Sequence, residues 1–305
     1  MANQNVEILD ERFRRCVKGD EPIERLWQDG RWTEGPVYAP AFKSLIWSDI
    51  PNDRQMRWDE TTGAVGVFQS NQGRYTNGST MDRQGRIVSC EHGKRRVSRI
   101  EHDGSITVLA GRFDGKRFNS PNDVVVKSDD SVWFTDPAYG IESDYEGFQA
   151  EPELDGEHVY RIDPQSGEIT RVADDFACPN GLAFSLDESK LYIVDSGGTR
   201  YASGEHHMRI FNVSEEGRLT GGAVFAECTN GVFDGFRFDN KGRIWTSAGD
   251  GVHCYDPDGT LIGKVFIPEV VSNLCFGGPK RNRLFVTASS SVYTVLLATS
   301  GPKLF

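Results

Sequence analysis

The chain has 305 residues, a formal net charge of −11 and a pI near 5.1. This charge argues against nucleic acid as a partner, because phosphate binding requires a basic surface. No apolar run reaches the roughly 18 residues of a membrane-spanning helix, which argues against a membrane protein. The apolar content of 37% suits many thin, half-buried strands, and 33 glycines are typical of a chain that turns often.

The first residues and the cysteines indicate a cellular compartment. The amino-terminal sequence MANQNVEILDERFRRCVKGDE mixes charges and lacks the apolar segment of a secretory signal. Six cysteines are dispersed along the chain without a CxxC pair or a disulfide-like pattern. We therefore expect a cytoplasmic protein whose cysteines are reduced and mostly buried.

The chain after the amino-terminal segment contains six similar hairpins. Each has a polar first residue, a short strand, a turn and a more apolar strand that ends in small or acidic residues. The first residues are Glu34, Asn77, Asn122, Asn180, Asp234 and Asn273. A second strand pair, such as VSRIEHDGSITVLA, lies between consecutive hairpins. Four strands per repeat of roughly 40 to 50 residues are typical of a propeller blade.

The sequence therefore predicts an all-β fold, a six-bladed β-propeller with four antiparallel strands per blade. We expect one domain over residues 1–305. Residues 1–30 are expected to be partly an extension and partly the closing strand of the last blade, at PIERLWQDG. Two longer repeats predict loop insertions at residues 140–158 and 196–207. The tryptophans of LIWSD, SVWF and RIWT lie in second strands, where packing between blades is expected.

The hairpin ends predict a polar site at one mouth of the central channel. In a propeller the first strands line the channel, so the six first residues should meet at one end. The second strands run back to the same end and should add a second polar ring. It would contain Asp49, Glu91, His92, Asp136, Asp195, Ser196, Asp250 and Ser289. Because clustered carboxylates repel one another, we expect a divalent cation with oxygen ligands.

Four motifs carry a resemblance to a known family. EGPVY, SPND, CPNG and FDGFRFDNKGRIW resemble motifs of the SMP-30/gluconolactonase/LRE-like family, and residues 77–100 are most similar to its bacterial gluconolactonases. The resemblance implies a six-bladed propeller with one catalytic divalent cation, with Ca²⁺ as first choice and Mg²⁺, Mn²⁺ or Zn²⁺ left open. It implies Glu34, Asn180 and Asp234 as metal ligands, with Asn122 as ligand or substrate contact.

The family activity implied by the resemblance is hydrolysis of a sugar-acid lactone, with D-glucono-1,5-lactone as the expected substrate and gluconate as the product. We expect Asp234 to be the general base, with Asp195 as the competing candidate. The expected substrate contacts are Asn77, Glu91, His92, Asn122, Asp123, Asp136 and Tyr139. For His92 and Tyr139 a structural role is an equal alternative.

One position departs from the family pattern. Regucalcin-type members carry an arginine two residues before the Asn of their RFND motif, and here that position is Ser120. Whether Arg117 replaces that arginine is open at this point. Two other functions also remain open: an aryl esterase or phosphotriesterase on the same metal site, and a metal-stabilised binding propeller without catalysis. The expected partner is a small lactone, and the expected assembly is a monomer or weak homodimer.

Overall fold

The computed structural model describes residues 5–19, 22–70, 72–202 and 204–303. Nearly all regular structure in these ranges is β-strand. Strands β1 (Val6–Ile8) and β2 (Glu24–Trp27) come before the first blade. Blade one contains β3 (Thr33–Ala39), β4 (Ser44–Asp49), β5 (Arg54–Asp59) and β6 (Val65–Ser70). Blade two contains β7 (Thr76–Met81), β8 (Ile87–Glu91), β9 (Arg96–Ile100) and β10 (Ile106–Ala110).

A short hairpin, β11 (Arg112–Phe113) and β12 (Lys116–Arg117), leads into blade three. That blade contains β13 (Val124–Val126), β14 (Val132–Asp136), β15 (His158–Ile162) and β16 (Ile169–Ala173). Blade four contains β17 (Pro179–Phe184), β18 (Lys190–Asp195), β19 (His207–Val213) and β20 (Leu219–Glu227). Blade five contains β21 (Phe236–Phe238), β22 (Ile244–Ala248), β23 (Gly251–Tyr255) and β24 (Leu261–Phe266). Blade six contains β25 (Val271–Gly277), β26 (Arg283–Ala288) and β27 (Ser291–Leu296).

Helical structure is short. The one α-helix in the described ranges, α1 (Tyr139–Glu142), lies in the loop between β14 and β15. The 3₁₀ turns are Glu11–Arg15, Pro40–Phe42, Ile50–Asn52 and Gly197–Thr199. Within the described ranges, no helix has both the length and the apolar character needed to cross a membrane.

The sheets form the predicted six-bladed propeller. Within each blade, strands that follow one another in sequence are antiparallel neighbours. The first strands contact one another in a closed ring, from β3 through β7, β13, β17 and β21 to β25 and back to β3. The later parts of these six strands surround a cavity of about 810 Å³, whose walls include Val37, Met81, Phe184, Arg237 and Phe276. The predicted fold class is therefore confirmed.

The amino-terminal segment contributes to two blades. Strand β2 pairs with β27, with Glu24 opposite Thr294, and so supplies the fourth strand of blade six. Strand β1 pairs with β24, with Val6 opposite Val265, and adds a fifth strand to blade five. The sequence pattern did not predict this fifth strand.

The hydrophobic core lies between blades. Among the described residues it forms six clusters, and each joins residues of two consecutive blades. Trp133 of blade three packs with Leu182 and Leu191 of blade four, for example. Trp47 and Trp245 occupy similar positions and, like Trp133, are fully buried. The packing role predicted for these three tryptophans is confirmed, and truncating one to alanine typically costs about 3–5 kcal/mol.

Candidate active site

The first residues of the six hairpins meet at one end of the channel. The Asn273 side-chain amide donates a hydrogen bond to a Glu34 carboxylate oxygen at 2.9 Å, which links blade six to blade one. The Asn180 amide lies near the carboxylate of Asp234 and opposes the rise of its pKa. These four side chains lie at or just before the starts of four different first strands, so their proximity follows from the rotational repeat of the blades.

Glycine residues let neighbouring blades approach closely at this end. A Cβ atom added to Gly35 would lie well within 3.0 Å of the Asn77 carbonyl oxygen, and one added to Gly181 would overlap the Asp234 carbonyl oxygen in the same way. These obstacles are main-chain atoms, which cannot move aside as a flexible side chain can. The opening is therefore framed by main-chain contacts between adjacent blades.

Three carboxylates, those of Glu34, Asp123 and Asp234, lie around the opening. Burial and the nearby Asp123 carboxylate raise the pKa of Glu34 to about 8. Burial, with the charges of Glu34 and Asp123, holds the pKa of Asp234 well above its ordinary value. Arg237 supplies positive charge, with a guanidinium nitrogen 3.6 Å from an Asp123 oxygen. The site thus concentrates acidic groups that a bound cation would stabilise in their ionised forms.

The donor atoms fit a hard cation. The Asn180 amide nitrogen donates to the Ser196 hydroxyl at 3.1 Å, and the Asn180 side-chain oxygen is buried without a hydrogen-bond partner. With Glu34 and Asp234, this oxygen makes a set of three oxygen donors, the kind that Ca²⁺ and Mg²⁺ prefer. Across the described residues, no group of three or more His, Cys, Asp or Glu side chains is arranged to hold a metal ion. The predicted ligand set contains only two carboxylates, those of Glu34 and Asp234, and its third ligand is the Asn180 amide oxygen.

Asn122 is fixed through its main chain. Its carbonyl accepts a hydrogen bond from Gly78 N–H at 2.8 Å, and its N–H donates to the Thr135 carbonyl at 2.9 Å. Asp123, the next residue, is buried and accepts a hydrogen bond from Val124 N–H at 2.9 Å. Its second oxygen accepts no hydrogen bond and is the one that lies 3.6 Å from the Arg237 guanidinium. Both residues therefore lie between blades two and four, beside the opening.

The aspartates at the second-strand ends hold loops. Asp195 accepts hydrogen bonds from the N–H groups of Ala177 and Cys178, both at 2.9 Å, and Asp136 accepts one from Asn119 N–H at 2.8 Å. These donors come just before a first strand, where main-chain N–H groups need a partner. The expected second ring of ligand-facing oxygens is thus directed largely at the main chain. These contacts favour a structural role for Asp136 and favour Asp234 over Asp195 as general base.

Glu91 is engaged in a buried ion-pair cluster. Its carboxylate accepts hydrogen bonds from Arg74 at 2.8 Å and from Arg96 at 2.7 Å, and also from the Ser98 hydroxyl. The Glu91 side chain is fully buried. Both oxygens are satisfied within the protein, so these contacts favour a structural role over the expected substrate contact.

His92 connects the ring of first residues to the loop of blade three. Its Nε2 lies 3.0 Å from the Asn77 amide nitrogen, and its Nδ1 lies 3.2 Å from the Glu146 carbonyl oxygen. The amide is a donor and the carbonyl an acceptor, so Nε2 accepts and Nδ1 carries the proton. Burial lowers the pKa of His92 to about 4, which keeps the ring neutral. The Asn77 side-chain oxygen is left buried and without a partner.

Tyr139 forms part of the rim. Its hydroxyl lies 2.9 Å from the Thr199 hydroxyl, and the Arg200 guanidinium lies 4.5 Å from the centroid of its ring. The charge of Asp234 is among the influences that raise the pKa of Tyr139, after burial and the neighbouring Cys178. Tyr139 therefore combines a packing role with a position near the carboxylates.

Comparison with known proteins identifies the family. Residues 32–290 match the model of the SMP-30/Gluconolactonase/LRE-like region. The chain belongs to this family. It is 29% identical over 303 residues to the gluconolactonase of Zymomonas mobilis, covering 92% of this chain and 82% of that protein. It is 31% identical over 268 residues to pentonolactonase XacC of Haloferax volcanii, covering 85% and 82%. A solved gluconolactonase from Xanthomonas campestris superposes with a TM-score of 0.88 and 35% identity, covering 97% and 98%.

The departure from the family pattern at Ser120 has a structural explanation. The Ser120 hydroxyl donates to the Pro137 carbonyl at 2.6 Å and accepts from Gly140 N–H at 2.9 Å, which anchors helix α1. Arg117 is half-buried, its main-chain N–H donates to the Glu153 carboxylate at 2.7 Å, and its guanidinium donates to the Lys94 carbonyl at 3.4 Å. These contacts do not support Arg117 as a replacement for the family arginine.

Glu146 is a site residue that sequence reasoning missed. It lies in the insertion at residues 140–158 and is half-buried. Burial and the charge of Glu142 raise the pKa of Glu146 to about 7, and its own charge raises that of Asp234. Because an insertion has no counterpart in the other blades, the repeat pattern carried no signal for this residue.

Proposed function

We propose that this protein hydrolyses a sugar-acid lactone, with D-glucono-1,5-lactone as substrate and gluconate as product. The main support for this proposal is the channel mouth, where the carboxylates of Glu34 and Asp234 lie close together beside an Asn180 oxygen that has no hydrogen-bond partner. Lactone hydrolysis is supported by the family and by relatives named as lactonases. A mouth rich in hydrogen-bonding oxygens suits a polyhydroxylated substrate better than an acyl-chain lactone.

Glu34, Asn180 and Asp234 would hold one divalent cation, with Asn122 as a further ligand or a substrate contact. We propose Ca²⁺, with Mg²⁺, Mn²⁺ or Zn²⁺ as alternatives. When bound, the cation supplies Lewis acidity to the ester carbonyl and favours ionised carboxylates. Asp234 takes a proton from water as the water oxygen bonds to the carbonyl carbon. The ring C–O bond then breaks, and the proton passes to the leaving ring oxygen as it becomes a hydroxyl.

The remaining residues position the substrate. The free Asn77 oxygen, held by His92, can accept a hydrogen bond from a substrate hydroxyl. The Asp123 oxygen that lies 3.6 Å from the Arg237 guanidinium offers a second acceptor. Tyr139 would form a wall of the pocket at the rim. We further propose a cytoplasmic monomer or weak homodimer, because all six cysteines are free thiols and no long apolar segment in the sequence requires a partner.

The test is acid release from D-glucono-1,5-lactone in a pH-stat, with the spontaneous rate subtracted. We expect activity that is lost on EDTA treatment and restored by one divalent cation. A parallel panel contains a pentonolactone, an aryl ester and a phosphotriester. Faster cleavage of the ester or phosphotriester would replace the lactonase proposal. If none of these substrates is hydrolysed with any cation, the alternative of a metal-stabilised binding propeller without catalysis is favoured.

Replacing Gly181 by Ala tests the main-chain frame. The added methyl group overlaps the Asp234 carbonyl, so the Asp234 carboxylate should be displaced and kcat/KM should fall by about 100-fold. Gly66→Ala is the matched control, because its Cβ meets no atom within 4 Å. Lactone kinetics and thermal unfolding are compared for both variants. Equal kcat/KM values for the two would contradict the role of this close approach.

Replacing His92 by Phe tests how Asn77 is held. Loss of both ring hydrogen bonds frees the Asn77 amide, so KM should rise about 10-fold, with a smaller change in kcat. Asn77→Ala should give a similar rise, and the double variant should add little to it. Additive effects in the double variant would show that the two residues act separately. In the wild type, no inflection of activity from His92 is expected between pH 5 and 8, because its pKa is about 4.

A further inference from the structure

The end of the channel opposite the carboxylates holds the cavity described with the fold, which we call the far cavity. The first strands run away from the mouth, and residues later in these strands, such as Val37, Phe184 and Phe276, form its walls. Its volume of about 810 Å³ lies within the range of small-molecule sites, roughly 300–1,000 Å³. The exposed residues Pro40 and Leu186 also line it, so the far cavity opens to solvent.

Apolar side chains form much of its wall. Met81, Val125, Phe184 and Phe276 all line the far cavity, and each is only half-buried. Removing this apolar surface from water is favourable. The wall therefore suits an occupant with an apolar body.

Arg237 brings a positive charge into this apolar wall. Its side chain is only 19% exposed. Nη1 donates to the Phe236 carbonyl at 2.7 Å and lies 3.6 Å from an Asp123 oxygen. Within the described ranges, Nε and Nη2 make no hydrogen bond to the protein. These two N–H groups lie along one edge of the guanidinium, and such an edge pairs with both oxygens of a carboxylate.

The charged residues of the lining favour an anion. There are four basic residues and two acidic ones, a net charge of +2: Lys43, Arg237, Arg281, Lys303, Glu60 and Glu188. Both acids already have donors, because Glu60 accepts from the Tyr38 hydroxyl at 2.5 Å and Glu188 from Ser128 N–H at 2.9 Å. The whole chain carries −11, so the far cavity is a local positive region in an acidic protein.

We propose that the far cavity binds a monocarboxylate with an alkyl chain of medium length. The carboxylate pairs with Nε and Nη2 of Arg237, and the chain lies against Val125, Phe184 and Phe276. The basic residues of the lining attract the anion from solution. A phosphate fits less well, because its second charge would be buried among apolar side chains without a partner. The proposal does not rest on lactonase activity, since the far cavity and the carboxylate mouth lie at opposite ends of the channel.

The experiment is a calorimetric titration of the full-length protein with octanoate, once in EDTA and once with Ca²⁺. We expect saturable binding of one octanoate per chain in both buffers. Decanoate, which is two methylenes longer, should bind about tenfold more tightly. Octan-1-ol should bind about tenfold more weakly than octanoate, because it lacks the charged hydrogen bonds to Arg237. Octylammonium should show no saturable binding.

Two variants locate the site. Arg237→Met removes the guanidinium but keeps an unbranched side chain, and should raise the Kd of octanoate at least tenfold. The double variant Lys43→Glu with Lys303→Glu changes exposed residues only, and should raise the Kd about tenfold at low salt and less at high salt. Lys116→Glu is the matched control, because Lys116 is exposed and does not line the far cavity. It should bind octanoate as the wild type does.

The proposal is overturned if octanoate does not bind saturably, or if octylammonium binds as tightly. Binding that requires Ca²⁺ would place the carboxylate on a cation and would also overturn it. So would an unchanged Kd in both cavity variants. Thermal unfolding shows whether Arg237→Met is folded, because this change removes a positive charge beside Asp123. If it is not folded, the double variant and the comparison with octan-1-ol decide.

Discussion

Asp234→Asn is expected to lower kcat for lactone opening by about 10³-fold, the usual range for loss of a general base. The variant keeps a side-chain oxygen toward the cation but cannot take a proton from water. The same carboxylate lies beside Glu34 and Asp123, so removing its charge should not unfold the protein. The measurement is initial acid release at saturating substrate, corrected for spontaneous hydrolysis, with thermal unfolding as the check on folding.

Asp195→Asn is the matched control for this prediction. Asp195 accepts three main-chain N–H bonds, from Ala177, Cys178 and Gly197. An Asn side chain has only one acceptor oxygen, so this variant should unfold at a lower temperature while kcat changes little. Near-wild-type turnover by Asp234→Asn would exclude it as the base. A larger loss of kcat in Asp195→Asn at an unchanged melting temperature would transfer that role to Asp195.

In EDTA, the stability of the protein is expected to fall as the pH rises from about 5 to 8. The pKa of Glu34 is raised from an ordinary 4.5 to about 8, so the folded state keeps a proton that the unfolded state has released. Proton release therefore favours unfolding across this window, and stability decreases with pH. Asp234, whose pKa is also raised, acts in the same direction. The measurement is the melting temperature against pH, with and without a divalent cation.

Saturating cation should remove most of this decline and raise the melting temperature at pH 8 by roughly 5 °C. Glu34→Gln provides the control, because a neutral amide cannot contribute to the pH dependence at that position. The variant should have a flatter curve in EDTA and respond less to the cation. This account of the site would be contradicted if the melting temperature in EDTA rises between pH 5 and 8. It would also be contradicted if no tested cation changes the melting temperature.

The repeat pattern in the sequence was enough to predict the blades and the meeting of the hairpin starts. Rotational symmetry explains this, because equivalent positions such as Asn180 and Asp234 must lie at the same end. Strand β1 escaped prediction because it is a three-residue edge strand with no counterpart in other repeats. Its position depends on packing such as that of Phe13 on Gly263, which a repeat search does not register.

Side-chain direction was the harder part of the site. The strand ends predicted where Glu91 and Asp195 lie, but their partners decide where their oxygens point. Those partners are arginine side chains for Glu91 and loop N–H groups for Asp195. His92 shows the same limit, since its contact with the Glu146 carbonyl depends on how an insertion folds back over the mouth.

The glycine contacts at the mouth have a consequence for how such proteins could diversify. Main-chain atoms of adjacent blades fix the width of the opening, so it stays constant when the residues beside Gly35 or Gly181 are exchanged. The loop between β14 and β15 is attached to this frame at its ends, through His92 and Ser120, and through the contact of Tyr139 with Thr199. Between these attachments its length and composition can change. Grafting this loop from a relative with another substrate should transfer preference for that substrate and leave cation affinity nearly unchanged.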